Sequence, residues 1–532
     1  MYTTARNRLE AVYQQCSSRP LLGRMVGVEK ECLRVAPDGA LSTAAHPPEL
    51  GAALTHSTIT TDFSEALLEI VTPPFTDMGD TLSCLSEVQS FVYSRLPEDE
   101  LLWGTSMPCQ LALDCDVPIG RYGTSNIGRM KHTYRRGLGL RYGRKMQAIA
   151  GVHYNYSYPD AFWQLMAEVD GVATVDQAFI SRQYFALVRN ILRFGWLIPY
   201  LFGASPAVCG SFFGSRTPPD KMQRLGRNTL YEPFATSLRM GDIGYQNNRE
   251  ESENIDADYN TLHSYVDFLQ QAISRKSARY ARLGLLDADD EYHQLNTNLL
   301  QIENEYYSSI RPKQITLPNE MPSIALAKRG VRYVELRSLD VNAYDPLGIN
   351  DEQLRFVESF MLFCMLCESP EISTTEYQDI KNNLLTVAHR GRDPDLKLIR
   401  DGKEVLLRDW GAEILDVVAE MCDLLDAPGK PKLYCNSLTQ QLEKIYEPQM
   451  TPSGTMLREL QENDEDFFSF GLRKSLEHKA FFTERPLPQD KQQEFQRLAQ
   501  ESHEKQRDIE NSDDKTFEQF LADYFSQLDK PA

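Results

Sequence analysis

Hydrophobic and polar positions alternate with a period of two in five short segments of this chain. These are GVEKECLRV (27–35), TTDFSEALLEIVTP (60–73), GVHYNYSYP (151–159), QIENEYYSSIRP (301–312) and YVELRSLD (333–340). Successive side chains of a strand point to opposite faces, so residues two apart share a face. As strands, the segments put Glu29 and Glu31 on one face with Val26 and Val28 on the other, and His153 and Asn155 opposite Val152 and Tyr154. In the same way Glu303 aligns with Glu305, and Glu335 with Arg337. The run LLEIVTP, β-branched and closed by proline, favours a strand for Glu69. Asp62 and Glu65, three residues apart, would instead form a capping pair if their segment begins helically.

Elsewhere the period is helical. Residues 1 to about 20 read as an amphipathic helix with Leu9, Val12 and Tyr13 at helical spacing. Strand-like segments then alternate with helices to about residue 345. From residue 351 onward, DEQLRFVESFMLFCMLCESPEI, VLLRDWGAEILDVVAEMCDLLDA and SLTQQLEKIYE are helical in period and strand signals nearly vanish. The stretch 489–532, rich in Glu, Gln, Lys and Asp, reads as solvated helix or tail. There is no internal repeat and no low-complexity linker, so the helices are expected to pack against the sheet. The expectation is an α+β fold, with a sheet-bearing region at 1–345 and a mostly helical region at 346–532 packed on it.

The acids change the picture. One strand with two carboxylates is ordinary, because an antiparallel sheet often keeps one charged, wet face. Like charges lined up on neighbouring strands repel, however, unless cations sit between them. Hard cations bound by oxygen, with nucleotide phosphates completing their shells, relieve that repulsion. The pattern therefore points to a concave antiparallel sheet that holds magnesium and a nucleoside triphosphate.

Composition narrows the partners. A formal charge of −20 with a pI near 5.0 disfavours nucleic acid and anionic membranes. No run approaches the roughly 20 apolar residues of a membrane span, and the first residues lack the apolar core of a signal peptide. Ten cysteines in 532 residues make no small-scaffold disulfide framework, so a cytoplasmic protein with reduced thiols is expected. Cys364 and Cys367 form a CxxC inside an apolar run with no second pair at zinc-site spacing, which reads as buried helical cysteines.

The five segments, taken in order with RYGTSNIGRMKHTYRRGLGLRYG (121–143), RFGWLIPYLFGASPA (193–207) and FATSLRMGDIGYQN (234–247), resemble the bacterial glutamate-cysteine ligases, the proteobacterial γ-glutamylcysteine synthetases. The resemblance runs from about residue 21 to about 370 and continues more loosely beyond. It implies a curved, glutamine-synthetase-like antiparallel sheet. It also implies a reaction in which ATP turns the γ-carboxylate of L-glutamate into an acyl phosphate, which the amine of L-cysteine attacks to give γ-glutamylcysteine, the first step of glutathione synthesis. Mg2+ is implied as the metal, with Mn2+ as an alternative, and a monomer as the working state. Feedback inhibition by glutathione is implied by resemblance alone.

Carried over residue by residue, the family's metal positions fall on Glu29, Glu31, Asp62, Glu69, His153 and Glu335. A sheet-bonded structural histidine is the other reading of His153. Arg239 and Arg337 match the arginines placed near glutamate and the transferring phosphoryl group, where a guanidinium fork suits carboxylate or phosphate oxygens. The alternative for each is a structural pair, Arg337 with Glu335 or Arg239 with Asp242. Arg129, Lys131 and Arg135 would meet ATP phosphates or form a solvated helix face. The cysteine pocket matches Phe63, Tyr134, Leu138, Gln147, Tyr245 and Tyr307, with Arg239 close by, and its discrimination against a similar apolar side chain is expected to be modest, roughly 10- to 200-fold. Two rivals stay open: a ligase joining glutamate to another amine, and a non-catalytic paralogue, which would be expected to lose acids or arginines that this chain keeps.

Overall fold

The computed structural model describes residues 2–16, 21, 23–111, 113–244, 256–426 and 429–529. Among the described residues seven strands form one antiparallel sheet: β1 (Met25–Val35), β2 (Ile59–Thr61), β3 (Leu67–Val71), β4 (Leu101–Leu102), β5 (Gly151–Ser157), β6 (Ile310–Lys313) and β7 (Tyr333–Asp340). Their spatial order is β2-β3-β1-β5-β7-β6, with β4 paired to the end of β1. Four of the five period-two segments therefore form strands. The second forms a hairpin, β2 and β3, with Asp62 and Glu65 in its turn.

The segment 301–312 is a correction. Glu303 and Glu305 lie in a 3-10 turn (Glu303–Glu305), and the strand begins only at Ile310. Their spacing serves two separate anchors. Glu303 accepts hydrogen bonds from Ser323 N and Oγ, at 3.1 and 2.5 Å. Glu305 accepts from Arg141 at 2.9 Å and from the backbone of Gln301 at 2.6 Å. Glu65 caps no helix either; its carboxylate accepts from the backbone N–H groups of His46 and Arg121 and so pins two loops.

The helices used below are α1 (Tyr2–Cys16), α2 (Met78–Arg95), α3 (Asn126–Tyr142), α4 (Gln177–Phe194), α5 (Leu262–Ser274), α6 (Pro322–Arg329), α7 (Asp351–Leu366), α8 (Thr374–Arg390), α9 (Leu407–Leu425), α10 (Leu433–Tyr446), α11 (Gln489–Ser512) and α12 (Phe517–Phe525). In α1, Leu9 and Val12 are buried as the helical spacing predicts, but Tyr13 is 43% exposed. Helix α7 begins with a capping box, Asn350 and Gln353 bonding reciprocally, and continues as an apolar run without Gly or Pro. It is buried on nearly every side, between α4 in front and α9 and α10 behind. Cys364 and Cys367 are fully buried there, as unpaired thiols.

The back face of the sheet is held to these helices by apolar packing and by buried charges, Lys30 donating to Gln89 of α2 at 2.6 Å. Val26, Val28, Val152, Tyr154, Val334 and Leu336 are fully buried. Glu358 of α7, wholly inaccessible, pairs with Arg24 and accepts hydrogen bonds from Tyr156 of β5 (3.0 Å) and Tyr434 of α10 (2.6 Å). A carboxylate this deep is tolerated because both of its oxygens have donors, Arg24 and Tyr156 on Oε1 and Tyr434 on Oε2.

The charged C-terminal stretch is more than a solvated tail. Phe495 of α11 stacks on Phe91 of α2 at 5.3 Å, and Ser502 Oγ accepts from Ala52 N at 2.9 Å. Phe517, Leu521 and Tyr524 of α12 are buried, and Arg129 of α3 lies over the Phe517 ring at 4.5 Å. The acids and lysines of this stretch cover the outer faces of helices whose apolar stripes are short.

Removing the carboxylate that joins sheet and helices strands Arg24 in the interior. Glu358→Ala is therefore expected to lower stability by roughly 3–5 kcal/mol, measured by urea unfolding with the far-UV signal of the native state retained; a loss below 1 kcal/mol would mean that the network contributes little.

Candidate functional site

The sheet register gathers the acids. Glu31 lies opposite Glu69 on β3, and Glu29 lies opposite His153 on β5. On β7, Glu335 lies opposite Asn155 on one side and Arg311 on the other. All of them face one cavity of about 460 Å³, with Asp62 at its rim. One ligand atom each from Glu29, Glu69 and His153 lie within 4.8 Å of one another. His153 Nδ1 is 3.0 Å from Glu29 Oε2 and 3.5 Å from Glu335 Oε1, and its Nε2 is 3.7 Å from Glu31 Oε1. Asn155 donates to Glu29 Oε1 at 2.8 Å.

The environments of these acids differ in kind. Burial, reinforced by the charges of Glu29, Asp62 and Glu31, drives the Glu69 carboxyl well above the usual carboxylate range. Burial also raises Glu31, against the pull of His153. Burial works against ionisation of Glu335 too, but Lys313 (2.9 Å) and Arg337 (2.8 Å) outweigh it and hold Glu335 well below the usual range. Glu29 is likewise opposed by burial and by Glu335, and the hydrogen bond and charge of His153 bring it below its ordinary value. The pKa values of two facing acids are thus raised and those of two others lowered, the divergence expected where like charges crowd together.

Two local features aim the arginines. Between Leu336 and Leu339 strand β7 carries one extra residue relative to β5, a bulge that re-aims Arg337 over the cavity. Arg337 NH1 reaches Glu335 Oε1 at 2.8 Å and lies 3.5 Å from His153 Nδ1. Arg239 lies across the bulge, donating to the carbonyl of Arg337 at 2.8 Å, with Asp340 Oδ1 at 3.6 Å. It passes directly above Gly151, where a Cβ would sit 2.0 Å from its guanidinium, so any side chain at this start of β5 would displace Arg239. The sequence pairing of Arg337 with Glu335 is present. The pairing of Arg239 with Asp242 is not, because Asp242 points to His389.

The segment carrying Arg239 is held by the C-terminal end of α8. The carbonyl of Ala388 accepts from Thr236 N at 2.9 Å and Ser237 N at 3.2 Å. His389 Nδ1 lies 2.9 Å from Glu232 Oε2, its Nε2 lies 3.1 Å from Asp242 Oδ1, and Lys221 approaches both carboxylates at 3.7 and 3.8 Å. Burial alone would lower the His389 pKa, but the bonds to Asp242 and Glu232 raise it above its ordinary value.

The other predicted residues divide. Phe63, Tyr134, Leu138, Gln147 and Tyr307 line the same cavity, opposite the acids. Tyr307 donates to Met240 Sδ at 3.2 Å, and Gln147 Nε2 has no protein partner. Tyr245 lies outside the described residues. Lys131 and Arg135 line the cavity, whereas Arg129 faces away towards Phe517. The sequence reading missed Arg311 and Lys313 of β6 and Tyr524 of α12, all of which line it. Arg311 and Lys313 stand two apart in IRPK and would have been found had the strand been started at residue 310; no local pattern marks Tyr524.

Hard oxygen donors with one imidazole, crowded beyond what their own charges allow, fit a divalent cation such as Mg2+ or Mn2+. With the lysines and arginines around them, the same residues can hold a polyphosphate and small carboxylates.

The family model of glutamate-cysteine ligase matches residues 9–387. The glutamate-cysteine ligase of Alcanivorax borkumensis is 45% identical over 522 residues, 97% of this chain and 98% of its own. That of Pseudomonas paraeruginosa is 45% identical over 523 residues, 98% of each. The structure of a glutamate-cysteine ligase from Francisella tularensis in complex with AMP aligns with a TM-score of 0.89 at 34% identity, covering 96% of this chain and 98% of that one. A bifunctional glutathione synthetase from Pasteurella multocida shares the fold, with a TM-score of 0.71 at 24% identity over 90% of this chain and 55% of its own.

The His389 clamp gives a pH dependence with a definite sign. A histidine whose pKa is raised by folding contributes stability that is full below its unfolded pKa and is lost as pH rises through the folded one. The melting temperature is expected to fall across that alkaline-side window, and His389→Gln is expected to flatten the fall; parallel melting curves for the two proteins would show that the clamp contributes nothing.

Proposed function

The chain belongs to the glutamate-cysteine ligase family and carries out ATP-dependent formation of γ-glutamylcysteine, the first step of glutathione synthesis, and we propose that the acid-lined cavity is where both halves of that reaction occur. The observation that carries this reading is the approach of Glu29, Glu69 and His153 within 4.8 Å, beside a row of fixed cations. Glu29, Glu31, Asp62, Glu69, His153 and Glu335 would hold Mg2+, with Mn2+ as a substitute. Bound there, a divalent ion would supply charge neutralisation to phosphate oxygens during transfer.

The chain's own residues do the rest. Joining a carboxylate to an amine in water is uphill, because both are charged and oxide leaves poorly; phosphorylation of the γ-carboxylate provides a leaving group. Arg337, with Lys313 and Arg311 beside it, holds the transferring phosphoryl oxygens in line with that carboxylate. In the second step the cysteine amine attacks the acyl carbon, the tetrahedral carbon carries an oxyanion, and phosphate departs. Arg239 and Arg337 are fixed before the substrate arrives, one by the other's carbonyl and by Asp340, so little reorganisation is needed as that charge develops. Phe63, Tyr134 and Leu138 form the apolar side that takes the thiol, and Gln147 and Tyr307 offer polar groups to the ammonium and carboxylate. A single chain supplies every group named, so the reading needs no second subunit. A cytoplasmic setting, where ATP and reduced cysteine are available, suits it.

The test of the reaction is ADP release with magnesium, ATP and L-glutamate, comparing L-cysteine with α-aminobutyrate, other amines and no acceptor. Release that needs glutamate and is fastest with cysteine, with the γ-linked dipeptide found by mass, is expected; turnover with another amine alone would overturn the acceptor pocket.

Glu69→Gln removes one member of a like-charged group. Its turnover is expected to fall by more than the roughly 10- to 100-fold that loss of an outer-shell metal partner costs, while the metal-free protein melts at a higher temperature than the wild type at neutral pH because folding no longer buries an acid whose pKa it raises. Unchanged turnover at saturating magnesium would remove Glu69 from the metal set.

A further inference from the structure

Two walls of the acid-lined cavity come from separate parts of the chain. One is α3, through Ile127, Met130 and Tyr134; the other is the loop after β6, through Thr316, Leu317, Asn319 and Glu320. The loop is a tight turn. Glu320 N donates to the Leu317 carbonyl at 3.0 Å, and Leu317 N donates to Glu320 Oε2 at 2.9 Å. Within it Asn319 is left-handed, with a φ of 58°, a conformation that side chains other than glycine adopt at a cost. Leu317 is 61% exposed, so the turn gains little from packing of its own.

Both walls are tied to one C-terminal segment, α12 and the 3-10 turn after it (Ser526–Asp529), which lies beyond the residues matched by the family model. On the α3 side, Asn126 Nδ2 donates to the carbonyl of Lys515 at 2.9 Å, and its backbone N–H donates to Asp513. On the loop side, the Gln527 amide pairs with the turn at two points. Its Oε1 accepts from Met321 N at 3.2 Å, and its Nε2 donates to the Asn319 carbonyl at 2.9 Å. The same Nε2 donates to the carbonyl of Tyr524 at 3.0 Å, which fixes the amide to the end of α12. Between the two ties, Tyr524 lines the cavity and is 8% exposed.

We propose that this C-terminal segment is a clasp that joins the two walls and keeps water from the γ-glutamyl phosphate, with Gln527 as its positioning residue and Tyr524 as the part that closes the wall. The inference rests on the reading that the cavity is the ATP-dependent ligase site. An acyl phosphate is open to water as well as to an amine. In hydrolysis a water oxygen attacks the γ-carbonyl carbon, the bond from that carbon to the phosphate oxygen breaks, and the water protons pass to solvent. Glutamate and phosphate then leave, and ATP is consumed without a peptide bond. A closed site suppresses this side reaction by excluding water. Gln527 acts through the loop it holds and does not touch the reacting atoms.

The experiment compares ADP released with γ-glutamylcysteine formed, at saturating magnesium, ATP, glutamate and cysteine, for the wild type, Gln527→Ala and Tyr524→Ala. The wild type is expected to release one ADP per dipeptide. Gln527 is half-buried near the end of the chain, so Gln527→Ala leaves the core intact and melts near the wild-type temperature. Loss of its two bonds to the turn is expected to raise the open fraction, and with it the glutamate-dependent ADP release that yields no dipeptide, by roughly 5- to 30-fold. In isotopically labelled water the recovered glutamate should then carry the label. Tyr524→Ala, which opens the wall itself, is expected to shift the ratio in the same direction. A merely structural role would lower ADP and dipeptide in step and leave their ratio alone. A wild-type ratio in Gln527→Ala, or extra ADP without label in glutamate, overturns the clasp while leaving the ligase reading in place. If the wild type makes no γ-glutamylcysteine with ATP, the reading beneath it fails first.

Discussion

Repulsion among carboxylates is the constraint on which the rest of the structure turns. Two ionised groups within 4.8 Å of each other, as ligand atoms of Glu29 and Glu69 are, would repel by about 3 kcal/mol or more at the effective dielectric of a partly buried site. The sheet repeats such contacts through Glu31, Asp62 and Glu335. The fold answers in three ways: the pKa values of Glu31 and Glu69 rise, His153 lies between Glu29 and Glu335, and Lys313 and Arg337 close on Glu335. Each answer leaves the acids in place for a divalent ion.

A crowded acidic face is self-destabilising, so the opposite face has to hold the strands in register. The back of the sheet is dominated by buried valines, leucines and tyrosines, with Lys30 and Arg34 of β1 bonded to Gln89 and Glu100, and α7 behind it is buried on nearly every side. Register matters more here than in most sheets, because a one-residue slip would turn every acid into the core and every valine into the cup. The Arg24–Glu358 pair with Tyr156 and Tyr434 ties β5 to α7 and α10 and so opposes that slip. The bulge in β7 falls where a regular strand would have aimed Arg337 elsewhere.

The legible parts of the sequence were those where one physical cause writes the pattern. In 27–35, 151–157 and 333–340 the alternation comes from one buried and one functional face, and both the strands and their facing residues were readable. In 301–309 the same alternation of acids has two unrelated causes, Glu303 anchoring α6 and Glu305 pairing with Arg141, and the strand reading failed there. It also drew attention away from Arg311 and Lys313, where the strand actually runs. Asp62 reached the cavity through a hairpin turn that its strand-like neighbours concealed. His389 and Tyr524 come from helices far along the chain, positioned by packing that leaves no local period. The charged composition of 489–532 likewise masked the few aromatic side chains that dock α11 and α12.

Charge balance connects the site to the chain's overall acidity. The cavity is lined by as many acids as lysines and arginines, and the molecule around it carries a formal −20. A polyphosphate and a dicarboxylic amino acid entering together add several negative charges to a site with no surplus of positive ones. Divalent cations arriving with the nucleotide would supply that surplus. The raised pKa values of Glu31 and Glu69 and the acidity of the whole protein both express this shortage of positive charge. Arginines fixed by backbone carbonyls and by Asp340 are the part of the positive charge that does not move, which suits the step in which charge shifts fastest, the transfer of the phosphoryl group.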